Sequence, residues 1–308
     1  MQVLKRIGVS AMAVLVALSV LTVPVFAQGQ GLAEESGTYV AAPSGSKELR
    51  LNGVHNKSAY SYSAVPIYYR GTKIAVSGRM INSELYLPMR AVVEGATGIS
   101  VNYDSKTRTS SVFGGGYNIS VTDGAYALFA SGRVMFSMTP AVILSDGRMY
   151  VPASSLLRAL SLSHTASGGN VNISGTPAPV RSADQYYAED AVYWLARIIS
   201  AESRGESLLG QIAVGTVVMN RVESPSFPST IWGVIFDKKY GVQFSPVSNG
   251  TIYQAPTSTA ILAAKICLEG FRTPGEPIYF LRPSASTSSW IVQNRPYAYT
   301  IGNHYFFE

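Results

Sequence analysis

A glutamate lies on the apolar side of a predicted helix, where its carboxyl group is placed for acid–base chemistry. Leu195, Ile199 and Glu202 follow one another at steps of four and three residues, so a helix places them on one face. Ser203 to Gly205 predict the end of this helix, because Gly205 can take the left-handed conformation that commonly ends one. Glu202 is therefore expected in the last turn, pointing inward.

A carboxyl group in that place is expected to have a raised pKa. Desolvation disfavours the ionised form of Glu202, and the negative end of the helix dipole adds to this effect. A carboxylic acid that is still protonated near neutral pH can donate a proton to a leaving oxygen, as cleavage of a glycosidic bond requires. The alternative is a partly exposed Glu202 in an ordinary salt bridge with Arg204 or Arg221.

Three helices are predicted around this residue. The first is capped by Ser182 or Asp184 and runs through Tyr186 to about Ala201. The second spans 207–222 and the third 257–270. Glu206, one turn after Glu202, is a candidate second carboxylate, and the alternative is that it caps the second helix.

Composition argues against metal and nucleic-acid chemistry. The 308-residue chain has a net charge of +6, and the basic excess lies in 61–175 without the clustered stripe of a nucleic-acid binder. His55, His164 and His304 are too dispersed for a zinc site. We therefore expect no metal and no cofactor.

The single cysteine, Cys267, allows no intramolecular disulfide. It lies in an apolar helical pattern, which favours a buried structural thiol. The alternative is a Cys/His nucleophilic pair with His304 in an amidase or peptidase.

The first 27 residues are typical of a secretory signal peptide. Lys5 and Arg6 precede an uncharged apolar run from Ile7 to Val25, and Ala27 offers a small residue at the cleavage point. The alternative is a retained transmembrane anchor, since the run is almost long enough to cross a bilayer. No later segment resembles a membrane span, and residues 28–60 are predicted to be a flexible leader.

Residues 61–175 contain short β-type runs and a weak internal repeat. The segment 85–93 is echoed by 149–157, each a strand, a proline and a short apolar helix. With Leu87 to Arg90, 101–104 and Tyr150 to Pro152, this region resembles the copper amine oxidase N-terminal-like domain of secreted Gram-positive proteins. No histidine set for copper is present, so the resemblance implies an accessory or wall-associated module, or a folded spacer without a ligand. Residues 176–187 are predicted to be a linker.

Residues 188–308 resemble the catalytic domain of the SleB-type cell wall hydrolases, the spore cortex-lytic enzyme family. The resemblance rests on several motifs in order: Ala201 to Glu206, Gly210 to Val214, Val218 to Val222, Gln243 to Pro246 and Ile301 to Phe306. It implies a mainly α-helical, lysozyme-like fold and cleavage of peptidoglycan between N-acetylmuramic acid and N-acetylglucosamine, often by lytic transglycosylation. Glu202 matches the family's catalytic acid, and Ser203 stands where the family often has Ala.

Uncharged polar and aromatic side chains suit a sugar groove better than a cationic site. The candidate substrate-binding residues are Gln243, Phe244, Ser245, Tyr279, Asn303 and His304. The alternative for His304 is that it satisfies a buried backbone group. Asn220 and Arg221 are predicted to anchor their helix and not to touch glycan.

The sequence thus predicts an α+β protein made of a signal peptide, a strand-rich accessory domain and a helical lysozyme-like catalytic domain. The predicted function is that of a secreted, wall- or cortex-associated enzyme that cleaves peptidoglycan strands with one Glu acid/base, in spore cortex lysis during germination. Peptidoglycan is the predicted partner, with a regulatory protein of the wall or spore as a further candidate, and neither nucleic acid binding nor a stable membrane span after signal cleavage is expected. The alternative is a non-catalytic wall- or spore-coat-binding protein.

Overall fold

The computed structural model describes residues 62–239, 241–283 and 289–308, and the side chain of Ser289 is not included. The predicted signal peptide at 1–27 and the leader at 28–60 lie outside the described residues.

The first part of the described chain is rich in strands. Its strands are β1 Tyr62–Val65, β2 Ile67–Tyr69, β3 Thr72–Lys73, β4 Gly78–Ile81, β5 Glu84–Pro88, β6 Val101–Asp104, β7 Thr109–Gly114, β8 Tyr117–Thr122, β9 Ala127–Ala130, β10 Arg133–Phe136, β11 Val142–Ile143, β12 Met149–Pro152, β13 Ser163–Ser167 and β14 Asn170–Ser174. Two helices accompany them, α1 Met89–Thr97 and α2 Ala153–Ala159.

These strands form three sheets, and the internal repeat lies at the centre of one of them. The sheet orders are β1-β4-β5-β12-β11, β10-β9-β8-β7-β6 and β13-β14-β2-β3. Strands β5 and β12 belong to the two copies of the repeat, and they pair antiparallel with Val151 opposite Leu87. Each is followed directly by its helix, α1 or α2, so the repeat predicted from the sequence corresponds to two strand–helix units packed side by side.

The second part of the described chain is mainly helical. Its elements are α3 Ala183–Tyr186, α4 Glu189–Ser203, α5 Leu208–Glu223, α6 Ile231–Ile235, α7 Ser245–Asn249, a 3-10 turn Thr251–Tyr253, α8 Ser258–Leu268, β15 Tyr279–Leu281, α9 Ser289–Asn294, β16 Tyr297–Ile301 and β17 His304–Phe307. The three strands form a sheet in the order β15-β17-β16.

Local sequence explains where the helices begin. The side chain of Ser207 accepts a hydrogen bond from the Gly210 amide, and that of Thr257 accepts one from the Ala260 amide, so each caps its helix. The prediction of one helix from Tyr186 to Ala201 is wrong in its first turn. The backbone is extended at Tyr187, so the helix is interrupted there. The Tyr187 hydroxyl group donates a 2.6 Å hydrogen bond to the Glu269 carboxylate.

Helices α4, α5 and α8 pack together around Gly215. A Cβ atom at this position would lie 2.7 Å from Cys267 Sγ and 2.8 Å from Ile199 Cδ1, so only glycine lets the three helices approach this closely. Val134 and Phe136 of β10 belong to the same buried apolar cluster as these helices. Strand β10 therefore contributes two buried residues to the apolar core of the helical part, while the other buried residues of the strand-rich part form separate clusters.

The predicted mixed α+β architecture, with a strand-rich region before a helical one, is confirmed. The domain boundaries and the lysozyme-like fold stay predictions. In the described part of the chain, no helix has the length and apolar character needed to cross a membrane.

Candidate active site

Glu202 lies in the last turn of α4, as predicted, and is half-buried. Within the described residues, its carboxyl group forms no hydrogen bond and no ion pair. The two arginines proposed as salt-bridge partners bind elsewhere. Arg204 donates to the Ala255 carbonyl at 3.1 Å, and Arg221 donates to the Ile278 carbonyl at 2.8 Å. The salt-bridge alternative for Glu202 is therefore wrong.

Burial raises the pKa of Glu202 to about 7, and the neighbouring His304 opposes this shift only in part. The helix end differs from the prediction, because Gly205 does not take the left-handed conformation. Arg204 continues with helical angles, and the turn closes when the Glu206 amide donates a 2.9 Å hydrogen bond to the Ser203 carbonyl.

Glu206 binds the turn of the hairpin that β16 and β17 form. Its Oε1 accepts a 3.0 Å hydrogen bond from Asn303 Nδ2, and its Oε2 accepts a 3.3 Å hydrogen bond from the Asn303 amide. His304 Nδ1 lies 3.5 Å from Glu206 Oε1, a close contact without a well-formed hydrogen bond. Residues that are 97 positions apart in the chain therefore meet beside the end of α4.

The two carboxyl groups have different electrostatic environments. Burial alone raises the pKa of Glu206, but the close contact with His304 and the hydrogen bonds from Asn303 outweigh it, so this pKa lies below its usual range. Glu206 does not cap α5, because Ser207 does so. Near neutral pH Glu206 is ionised, whereas a large fraction of Glu202 is protonated.

Gly302 makes the contact between Glu206 and the hairpin possible. It has a φ of +52°, and a Cβ atom there would lie 2.0 Å from Glu206 Oε2. The carboxylate would have to move away and give up its hydrogen bonds to Asn303.

We expect Gly302→Ala to lower the free energy of unfolding by about 2–4 kcal/mol, since it combines left-handed backbone strain with the loss of charge-assisted hydrogen bonds. Gly250→Ala is the matched control, because Gly250 has a φ of +79° and no atom within 4 Å of an added Cβ. The control should lose only the backbone contribution of about 1–2 kcal/mol. Urea unfolding of both variants measures the difference, and equal losses would contradict the role of Gly302 beside Glu206.

His304 is 3% exposed. Its ring packs edge-on against Phe280 at 5.6 Å between centroids and lies 6.3 Å from Phe306. Its Nδ1 faces Glu206, and the two alternatives for His304, orienting a substrate or satisfying a backbone group, stay predictions. His304 therefore contacts both Glu206 and the aromatic rings of the sheet that β15, β17 and β16 form.

Arg221 organises a second group of the predicted site residues. Its guanidinium lies over the rings of Phe244 and Tyr279, at 5.2 and 5.5 Å from their centroids. Its Nη1 donates a long, 3.5 Å hydrogen bond to Gln243 Oε1. Asn220 donates to the Pro277 carbonyl at 2.9 Å, so Asn220 and Arg221 both anchor α5 to the segment before β15, as predicted.

Phe244 and Ser245, two neighbouring residues predicted to bind sugar, differ in their exposure to solvent. Phe244 is 2% exposed and packs in the helical core, so the prediction that its ring offers a face to sugar is wrong. Ser245 is exposed and lines a cavity together with Arg197 and Arg204 of the α4 segment. Direct contacts join Glu206 to Asn303 and His304. The Phe280 ring, which packs against His304, lies 6.4 Å from the Phe244 ring, measured between centroids.

Cys267 is fully buried and its thiol donates to the Ile212 carbonyl at 3.5 Å. Burial raises the pKa of this thiol to about 12, so it is not a thiolate at neutral pH. The Cys/His nucleophile is therefore not a reasonable alternative. No group of three or more His, Cys, Asp or Glu side chains that could hold a metal ion occurs among the described residues.

Two parts of the chain match the sequence profiles of known families. Residues 205–307 match the family described as Cell Wall Hydrolase, and residues 67–174 match the Copper amine oxidase N-terminal domain. The first match begins just after Glu202 and includes Glu206 and the hairpin that binds it. The chain therefore contains a cell wall hydrolase domain and a copper amine oxidase N-terminal-like domain.

Curated relatives are similar over part of their length. The chain is 40% identical over 120 residues to a spore cortex-lytic enzyme of Bacillus cereus and 35% identical over 140 residues to one of Bacillus subtilis. These alignments cover 39% and 43% of this chain and, in each case, 45% of the relative. The chain thus spans less than half the length of these curated relatives.

A solved structure is also similar in sequence. It is the catalytic domain of the germination-specific lytic transglycosylase SleB from Bacillus anthracis, with 38% identity over all of that chain and 42% of this one, at a TM-score of 0.37.

Proposed function

We propose that this chain, which contains a cell wall hydrolase domain, cleaves peptidoglycan between N-acetylmuramic acid and N-acetylglucosamine as a lytic transglycosylase. The observation that carries the proposal is Glu202, a half-buried carboxyl group without a hydrogen-bond partner in the described residues, whose pKa burial raises to about 7. Such a group can both donate and take up a proton at neutral pH.

A single carboxyl group is sufficient for this reaction. Glu202 donates its proton to the glycosidic oxygen as the bond from that oxygen to C1 of muramic acid breaks, and positive charge develops on the sugar ring. The C6 hydroxyl group of the same sugar then attacks C1, and its proton returns to Glu202. The products are a 1,6-anhydromuramic end and a free 4-hydroxyl group, with no water consumed, so a second carboxylate at a defined separation is not required.

The other polar residues have positioning or binding roles in this proposal. Glu206 holds the hairpin turn through Asn303, and it keeps His304 beside Glu202. Gln243 and Tyr279 are half-buried around Arg221 and offer hydrogen-bonding groups to the glycan. These residues supply orientation, whereas Glu202 supplies the proton.

Activity should fall as the pH rises through about 7. Only the protonated form of Glu202 can start the reaction, and the fraction of this form decreases above its pKa of about 7. We expect kcat/KM on soluble glycan fragments to be highest below neutral pH and to fall by about tenfold per unit well above it. A rate that stays constant from pH 6 to pH 9 would contradict the assignment of Glu202 as the proton donor.

Mass spectrometry of the soluble products tests the proposed reaction directly. The protein without its first 27 residues is incubated with spore cortex and with vegetative peptidoglycan. Anhydro-muropeptides would establish transglycosylation, and reducing muramic ends would instead show hydrolysis, which needs an activated water. Absence of any glycan product from both substrates would favour the alternative of a non-catalytic wall-binding protein.

We also propose spore cortex as the substrate in the cell. The support is the similarity to relatives named spore cortex-lytic enzymes, whose alignments cover 39% and 43% of this chain and 45% of each relative. Preferential release of products from cortex in the same experiment would agree with this role, whereas faster release from vegetative peptidoglycan would assign the enzyme to the growing wall.

A further inference from the structure

A cavity of about 330 Å³ lies along α4, away from Glu202. Its lining includes Arg197, Ala201 and Arg204 of the α4 segment, together with Ser245, Asn249 and Gln254. Arg197, Ala201 and Arg204 are spaced by four and three residues, so they share one face of the helix. With 3.6 residues per turn, Glu202 lies about 130° around the axis from the centre of that face, and it does not line the cavity. The cavity is therefore distinct from the candidate active site.

The cavity has a cationic lining. Arg197 and Arg204 form no ion pair within the described residues, and no acidic side chain lines the cavity. Backbone carbonyls hold both guanidinium groups in place. Arg197 Nη1 donates to the Tyr253 and Gln254 carbonyls, and Arg204 Nη2 donates to the Ala255 carbonyl. Because a guanidinium has five N–H donors, each arginine keeps N–H groups for an anionic ligand.

An exposed aromatic surface continues from this cavity. We define it by five residues on α4, α6 and the turn after α7: Tyr193, Trp194, Trp232, Phe236 and Tyr253. Trp232 is 56% exposed and Tyr253 is 62% exposed. Phe236 lies 5.1 Å from both tryptophan rings, and Trp194 lies 6.4 Å from Tyr253, measured between ring centroids. Trp194 and Phe236 are partly buried against the helical core, and the exposed rings of Tyr193, Trp232 and Tyr253 beside them are typical of a binding surface.

Arg197 joins the cavity to the aromatic surface. Its guanidinium lies over the Tyr193 ring, 4.1 Å from the centroid, while the same group binds the backbone of Tyr253. An anion bound by Arg197 would therefore lie beside the aromatic rings. Flat aromatic faces contact the apolar faces of sugar rings, and guanidinium groups bind carboxylates.

We infer that this cavity and the aromatic surface form a second binding site for the peptidoglycan strand, in which Arg197 and Arg204 bind a carboxylate of a stem peptide and the aromatic surface contacts sugar rings. The inference rests on the proposed function, since it takes peptidoglycan as the substrate. Both ligand groups belong to one polymer, because the stem peptides are attached to the glycan. The site holds a peptide-bearing strand on the enzyme outside the candidate active site.

The test measures binding with the Glu202→Gln protein, which cannot turn the ligand over if the proposed function is right. Isothermal titration compares soluble tetrasaccharide muropeptides with the same fragments after their carboxylates have been amidated. We expect the unmodified fragments to bind about tenfold more tightly, as a charge-assisted contact predicts. Arg204→Ala should remove that difference in affinity. Trp232→Ala should weaken the binding of both fragments by a similar factor.

Two control variants change residues of the strand-rich part that are about as exposed as Arg204 and Trp232. Arg148→Ala removes an exposed arginine and Phe113→Ala removes an exposed ring that is 52% accessible, and both should bind like the parent protein. Equal affinity for the two fragments, or an unchanged preference in Arg204→Ala, would overturn the inference. The wild-type product analysis is independent of these titrations, so a failure of the second site is distinguished from a failure of the proposed reaction.

Discussion

Replacing Glu202 with Gln is expected to lower the rate of peptidoglycan cleavage by about 10²–10⁴-fold, the usual contribution of a positioned general acid–base group. Glutamine fills nearly the same space but cannot donate a proton to the glycosidic oxygen. The fold should be unaffected, because Glu202 has no hydrogen bond or ion pair to lose within the described residues and because a neutral side chain avoids the desolvation of a carboxylate. Release of anhydro-muropeptides and thermal unfolding, measured on the same preparation, separate loss of chemistry from loss of structure.

Glu189→Gln is the matched control for this variant. Glu189 lies on the same helix, in its first turn, and is exposed to solvent. This substitution should leave the cleavage rate within about twofold of wild type, since exposed substitutions away from specific contacts have small effects. If Glu202→Gln retains wild-type activity while folded, another group is the acid, and the proposed mechanism is wrong.

Replacing Glu269 with Gln should lower the free energy of unfolding by about 3–5 kcal/mol, because it leaves the largely buried Arg133 guanidinium without its carboxylate. The Glu269 side chain is 1% exposed and accepts hydrogen bonds from Arg133, Arg158 and Tyr187 at 2.6–2.9 Å. Burial alone raises the pKa of Glu269, but these partners outweigh it and hold the pKa below its usual range. Urea unfolding at neutral pH measures the loss.

Glu223→Gln is the control for this variant, because Glu223 forms an ion pair with Arg272 but its side chain is 61% exposed. A surface pair of this kind contributes about 0–1 kcal/mol.

The pH dependence of the free energy of unfolding gives a further check. Since the folded pKa of Glu269 is lowered, its stabilising effect is present above the unfolded pKa of about 4.3 and is lost as the pH falls through the folded value. Equal losses of unfolding free energy in Glu269→Gln and Glu223→Gln would mean that the Glu269 contacts contribute little to stability.

The Glu269 contacts also connect two predicted domains. Arg133 belongs to β10 and Arg158 to α2 in the strand-rich part, Tyr187 lies in the predicted linker, and Glu269 follows α8. We expect Glu269→Gln to increase proteolytic cleavage within 176–187, because Tyr187 then loses its charged partner. The contacts couple the stability of the strand-rich region to the stability of the region that contains Glu202.

Local patterns were sufficient for much of the helical part. The capping residues Ser207 and Thr257 and the apolar spacing of α5 and α8 depend on neighbours within a few positions, and these helices lie where the sequence predicts them. Strand β10 has no such local signature, for a physical reason. Val134, Met135 and Phe136 are all buried, so the strand lacks the alternation of apolar and polar residues that identifies a half-exposed strand.

The sequence by itself determined the placement of Glu202, because helical periodicity alone puts this carboxyl group on the buried side of the last turn of α4. Only the tertiary structure decided the states of the two glutamates. Glu206 is held ionised by a hairpin 97 residues away, whereas Glu202 meets no hydrogen-bond donor in the described chain. A pKa depends on burial and on charges within a few ångströms, and these distances arise from packing between elements that no local sequence pattern records.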